Sequence, residues 1–197
     1  RSAIYANVGS DPSGKQIIDK FKQEGVNTRY VVTNEGMESN LSTVLNFKGE
    51  RTIFVYHQVW KYRLPELDAS RWAYFTSLAP SFTESNLLNE LAVYLERTGC
   101  KLLYNPGTYQ IKAGVKKNPR LLSLTELFIV NEEEAKRILG HKDTEDIAIK
   151  KLLRGISDLG SKMVIITDGG EGSFGFDGEK YYHLGIFPAQ LVEMTGA

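Results

Sequence analysis

Apolar positions along this chain change their spacing twice. Near the start, Asp11-Pro12 reads as a helix N-cap and first helical residue. Ile17, Ile18 and Phe21 follow at helical spacing, and Gly25 is a natural stop. This predicts an amphipathic helix over 11–24. Segments 29–33, 42–47 and 51–57 then turn rich in Val, Tyr, Thr, Ile and Phe, with Lys48-Gly49 as the turn between the last two. Three successive strands without helices do not suit a doubly wound sheet. They are expected to form a separate small sheet, residues 29–57, set apart from a core of residues 1–28 and 58–197.

From Trp72 onward strand and helix patterns alternate. Strands are predicted at 72–78, 101–104, 127–130 and 163–167. Ser81 with Glu84 has capping-box spacing ahead of Leu87, Leu88, Leu91, Ala92 and Leu95, and Gly99 ends that helix. Pro119 opens a short helix, 132–139 reads as another before Gly140, and Ile147, Ala148, Leu152, Ile156 and Leu159 mark a longer one. A last hairpin joins 173–176 to 180–184 around Asp177-Gly178. Alternation of this kind implies an α/β fold whose mostly parallel sheet is covered on both faces, a three-layer sandwich. Ligands on such sheets bind at the carboxyl ends of the strands. Asn105, Asn131, Thr167 and Thr195 all fall at those ends.

Composition narrows the function. The 197 residues carry 24 basic and 24 acidic side chains, with no basic stripe to suit nucleic acid. No apolar run reaches the ~18 residues of a membrane span, and no signal-like segment is expected ahead of the fold. One cysteine, Cys100, leaves no disulfide framework, so a cytoplasmic setting is expected. His57, His141 and His183 show no metal-ligand spacing.

The polar motifs each admit a structural reading. Asn131 and Glu134 have the spacing of a capping box. Thr167, Gly169 and Gly172 fit an ordinary strand-to-hairpin turn, in which glycine supplies positive φ. Asp11, between Gly9 and Gly14, needs no role beyond capping, and Asn105-Pro106 suits a plain turn. Thr195-Gly196-Ala197 after a strand-like run reads as a small-residue turn whose N–H groups can hold an anion. In the small sheet Asn40, Thr43, Asn46, Tyr56 and His57 are polar or aromatic candidates for substrate contact. Period-two alternation lets only about half of them face it.

Taken in order, the stretches 7–14, 131–140, 164–178 and 185–197 resemble the ribokinase-like carbohydrate kinases, the PfkB family of sugar and nucleoside kinases. The resemblance implies an ATP-dependent phosphotransferase that moves the γ-phosphate to a sugar or nucleoside hydroxyl. It implies that Asn131 and Glu134 act through Mg²⁺, its waters and the phosphates, and that Thr167, Gly169 and Gly172 approach the nucleotide. Asp168 stands where the family usually has an apolar residue. Thr195, Gly196 and Ala197 would form the anion hole. Glu193 replaces an Asp that helps bind a monovalent cation in some members, so that cation joins ATP and Mg²⁺ as an expected cofactor. Asn105 would lie near the phosphates. Residues 29–57, with Thr43 and Tyr56, would be a lid over the sugar, and such lids often join subunits into a homodimer. The family's catalytic Asp would fall just after Ala197, so the chain as given is expected to be inactive, with the family's first strand lying ahead of Arg1. Two other readings stand beside this one: a non-catalytic sugar- or nucleotide-binding relative, favoured by Asp168 and Glu193, and an interaction module built on the exposed lid.

Overall fold

The computed structural model describes residues 2–47 and 50–188. They fall into two compact units, one within Arg1–Pro65 and the other Glu66–Pro188.

The first unit opens with β1 (Ala3–Gly9), α1 (Pro12–Gln23) and β2 (Asn27–Asn34). β1 and β2 pair in parallel, Gly9 opposite Asn34, with α1 as the crossover between them. α1 starts as its sequence requires: the Asp11 carboxylate accepts from the Gly14 N–H at 2.9 Å, and Pro12 takes the first turn. Strand 29–33 was expected in the small sheet and belongs instead to this β-α-β unit. The expectation lacked β1, whose AIYANVG sequence does not alternate apolar and polar residues. The small antiparallel ribbon is real and is made of β3 (Leu41–Phe47) and β4 (Glu50–Tyr56), Leu41 opposite Tyr56 and Phe47 opposite Glu50. Its Lys48-Gly49 turn lies outside the described residues.

The second unit holds β5 (Trp72–Phe75), α2 (Leu87–Thr98), β6 (Lys101–Tyr104), α3 (Thr108–Ala113), α4 (Pro119–Ser123), β7 (Thr125–Asn131), α5 (Glu132–Leu139), α6 (Ile149–Ser157), β8 (Met163–Asp168), β9 (Gly172–Phe176) and β10 (Tyr181–Leu184). One sheet runs β10-β9-β8-β7-β6-β5, parallel from β5 to β8 and antiparallel through β9 and β10. This is the mostly parallel α/β sheet expected. Alternate strand positions are buried: Leu102, Tyr104, Phe128, Val130, Val164 and Ile166. The helices add Leu87, Leu91 and Leu95 from α2, Leu121 and Leu122 from α4, Ala135 and Ile138 from α5, and Leu152, Leu153 and Ile156 from α6. Full burial of each large side chain contributes roughly 1.5–3 kcal/mol, so this layer dominates the unit's stability.

Two local readings need correction. Ser81 and Glu84 do not cap α2: residues 80–84 form a tight 3-10 turn that buries Phe82, and α2 begins at Leu87. The strand expected over 72–78 ends at Phe75, and α3 was not anticipated. Gly99 and Gly140 do close their helices, both left-handed, with φ of 65° and 91°.

Candidate active site

Parallel register brings the strand-end motifs of the second unit onto one edge of the sheet. Phe75 stands opposite Tyr104, Tyr104 opposite Phe128, and Asn131 opposite Thr167.

Asn105 follows β6 and makes three hydrogen bonds. Its backbone N–H donates to the Phe75 carbonyl at 2.9 Å, and its Nδ2 donates to the Ile129 carbonyl at 2.8 Å. Its Oδ1 accepts from the Tyr74 hydroxyl at 3.2 Å. One side chain thus ties the ends of three strands together. A second staple lies beside it. Buried Gln110 accepts from the Gly107 N–H at 2.8 Å and donates to the Thr76 carbonyl at 3.2 Å. Gly107 leaves no room for a Cβ, which would collide with Ser77 Oγ. The sequence reading missed Gln110. Its only signal is a polar residue at the third position of a short helix.

Asn131 and Glu134 form the reciprocal capping box. Asn131 Oδ1 accepts from the Glu134 N–H at 2.8 Å, and Glu134 Oε2 accepts from the Asn131 N–H at 2.9 Å. Glu132 and Glu133 precede Glu134, but each has a cation four residues on. Lys136 pairs with Glu132 at 2.9 Å, and Arg137 pairs with Glu133 at 3.0 Å and with Asp143 at 2.7 Å. Among the described residues Glu134 is in no ion pair and keeps Oε1 clear of its capping bond. The exposed Arg137 pairs contribute little to stability, whereas Lys136 is buried beside Glu132. These pairs leave Glu134 as the one carboxylate of this first turn outside an ion pair, though Arg137 still feels its charge.

Thr167 is exposed at the end of β8, next to Asn131 on one side and opposite Ser173 on the other. A short 3-10 turn, Gly169–Glu171, follows. Gly169 has φ 41° with open space around it. Gly172 has φ 89°, and a Cβ there would overlap the Leu184 carbonyl and the Gly185 backbone. Positive φ was expected at this turn; crowding by β10 was not.

The remaining motifs fall elsewhere. In the first unit Ser39, buried, donates to Asp11 Oδ1 at 2.6 Å and accepts from the Gly9 N–H at 3.0 Å. The Ser39 hydroxyl, and after it the Gly14 N–H, hold the Asp11 carboxyl below the usual carboxylate range. Gly9 has no space for a Cβ because residues 37–39 lie against it. The Gly9, Asp11 and Gly14 motif is therefore a structural knot, as the capping reading had it. On the ribbon Thr43 stands opposite Phe54 and Tyr56 opposite Leu41, so Thr43 and Tyr56 share one face. Tyr56 is half exposed and accepts from Gln58 Nε2 at 3.3 Å. Glu193, Thr195, Gly196 and Ala197 lie outside the described residues. A shallow hollow of about 380 Å³, lined by Ser70, Arg71, Trp72, Thr98, Gly99 and Lys101, sits at the amino ends of β5 and β6, away from these motifs.

With this geometry in place, likeness to known proteins is informative. The whole chain, residues 1–197, matches the family described as pfkB family carbohydrate kinase. It is 27% identical over 202 residues to the bifunctional ribokinase/ribose-5-phosphate isomerase A of Fructilactobacillus sanfranciscensis, a match covering all of this chain and 36% of that protein. The ribokinase of Giardia lamblia has a similar structure, with a TM-score of 0.78 at 18% identity over 98% of this chain and 62% of its own. The fructokinase of Vibrio cholerae, solved with fructose, ADP and calcium ion bound, gives a TM-score of 0.77 at 18% identity over 100% of this chain and 66% of its own. The chain thus spans about a third to two thirds of the length of these relatives. The structural likenesses, at such identities, establish the ribokinase-like α/β fold. The full-length family match, added to the strand-end motifs, places the chain in the PfkB family of carbohydrate kinases.

Proposed function

We propose that the full-length protein moves the γ-phosphate of ATP to a hydroxyl of a sugar or nucleoside. The observation that carries this reading is the pairing of Asn131 with Thr167. It sets the start of α5 beside the Gly169–Gly172 turn at the carboxyl edge of a parallel sheet, where such folds bind ligands. The backbone N–H groups of a helix start favour phosphate. The kinase names of the relatives described above point to the same chemistry and lend nothing to a non-catalytic reading.

In this reading Asn131 and Thr167 orient the phosphates, and the glycines of the turn let backbone come close to the nucleotide. Glu134 suits a hydrated Mg²⁺: its Oε1 is clear of the capping bond, and Mg²⁺ keeps several waters and needs few protein ligands. The described residues hold no cluster of three metal-binding side chains, so direct protein coordination forms no part of the proposal. Bound magnesium would neutralise charge on the phosphoryl oxygens. Thr195, Gly196 and Ala197 are proposed as the anion hole and Glu193 as a ligand for a monovalent cation. Asn105 acts by holding the strand ends rather than by touching phosphate. Thr43 and Tyr56, on one face of the ribbon, are proposed to meet substrate, and the lid role falls to β3 and β4 alone. The other face of the ribbon exposes Val44, Ile53 and Val55, a surface suited to a homodimer. Among the described residues no helix is long and apolar enough to cross a membrane. A cytoplasmic setting is proposed on the single cysteine.

The test is a coupled assay of the full-length protein with ATP and Mg²⁺ over a panel of sugars and nucleosides. A phosphorylated product that disappears on chelation is expected. Silence across a broad panel would overturn the proposal.

A further inference from the structure

His183 contributes none of the chemistry proposed above, yet its position is specific. It lies on β10 directly opposite Phe174 of β9. Its ring stacks on the Phe174 ring, 4.4 Å between centroids and 9° between planes. Its Nε2 is 2.8 Å from the carbonyl oxygen of Glu171. A carbonyl only accepts, so the ring carries its proton on Nε2 and donates. Glu171 is the last residue of the 3-10 turn that begins at Gly169. The same strand reaches the turn a second time, where the Leu184 carbonyl and Gly185 backbone fill the space beside Gly172. The turn between β8 and β9 is therefore held from behind by β10.

We propose that His183 is a positioning residue for the nucleotide-binding turn. Its imidazole, braced on Phe174, fixes the Glu171 carbonyl and with it the backbone from Gly169 to Gly172. The inference rests on the reading of Thr167, Gly169 and Gly172 as nucleotide contacts. His183 acts through the turn and not on the reacting atoms.

Two variants of the full-length protein separate the parts. His183→Phe keeps an aromatic ring on Phe174 and removes the donor. His183→Gln keeps an N–H donor and gives up the stack. Amide hydrogen exchange over residues 168–173, without ligand, reads the clamp itself. In the Phe variant that segment is expected to exchange about five-fold faster, while the Gln variant stays near wild type. With ATP varied at saturating sugar, the Phe variant should raise KM for ATP about five-fold with kcat and the sugar KM little changed, and Gln should restore it. Unchanged exchange in the Phe variant would overturn the clamp. Faster exchange with an unchanged KM for ATP would overturn its link to the nucleotide. If the wild-type protein turned over no ATP, the nucleotide reading would fall and the proposal with it, while the exchange data would still report whether the clamp exists.

Discussion

Glu134 has one observed occupation, the cap, and one proposed, magnesium. Oε2 closes the capping box on the Asn131 N–H. Oε1 takes no part in that bond and is the oxygen proposed for hydrated magnesium. Gln at this position keeps an acceptor for the box and loses the charge. Glu134→Gln should therefore cost well under the ~1 kcal/mol that a cap is typically worth. If the carboxylate also orders magnesium, kcat should fall ten-fold or more, about 1.4 kcal/mol in the barrier. Thermal melts and kinetics at saturating Mg²⁺ on one variant check both, and an unchanged kcat would reduce Glu134 to a cap. The box was legible in the sequence because both partners lie within four residues. Asn105 was not: its partners Tyr74 and Ile129 lie 31 and 24 residues away, and only the register of the sheet brings them to it.

The β8-turn-β9 element makes unequal demands on its glycines. Gly169 has positive φ in open space; Gly172 has positive φ and backbone packed where a Cβ would go. Gly169→Ala should cost about 1–2 kcal/mol, the penalty for a left-handed L-residue. Gly172→Ala should cost above about 3 kcal/mol, since backbone strain is joined by displacement of β10. Urea unfolding of the two variants ranks them, and equal losses would mean that β10 does not press on the turn. The element itself was readable from its apolar strand and Asp177-Gly178 turn. The crowding was not, because the close approach of the Leu184 carbonyl to Gly172 depends on how the hairpin, itself readable, twists in the folded sheet. The same limit explains β2. Its Val- and Tyr-rich sequence shows a strand, while its partner β1 lies across a helix and shows no alternation. Most helices were found because a 3.6-residue period and a closing glycine are local signals.

At the scale of the molecule, seven carboxylates among the described residues lean one way. Asp11, Asp19, Glu96, Glu126, Asp143, Glu145 and Asp177 are all held below their ordinary values. For Glu126 the cause is first Lys162 and then Lys101. For Asp177 the Lys180 N–H, the Tyr182 hydroxyl and the Glu179 N–H bring it to about 2. A depressed folded-state value means that the unfolded chain binds protons first as pH falls. The stabilisation is complete above the ordinary carboxylate range and drains away as pH falls through it toward about 2. The urea midpoint should hold steady down to about pH 5 and then decline. A midpoint that rose on acidification would contradict these hydrogen-bond assignments.

The ribbon carries a further consequence for biogenesis. Leu41, Leu45, Phe47, Phe54 and Tyr56 are all at least half exposed, on two strands that among the described residues pair only with each other. A ribosome delivers this segment before any strand of the second unit, at ~5–20 residues per second. For those seconds the nascent chain displays a short, extended, greasy hairpin with open edges on both sides. A chaperone that grips extended apolar peptides would find a foothold there ahead of the second unit, and charged substitutions on the ribbon should loosen that grip while leaving the later folding of residues 66–188 untouched.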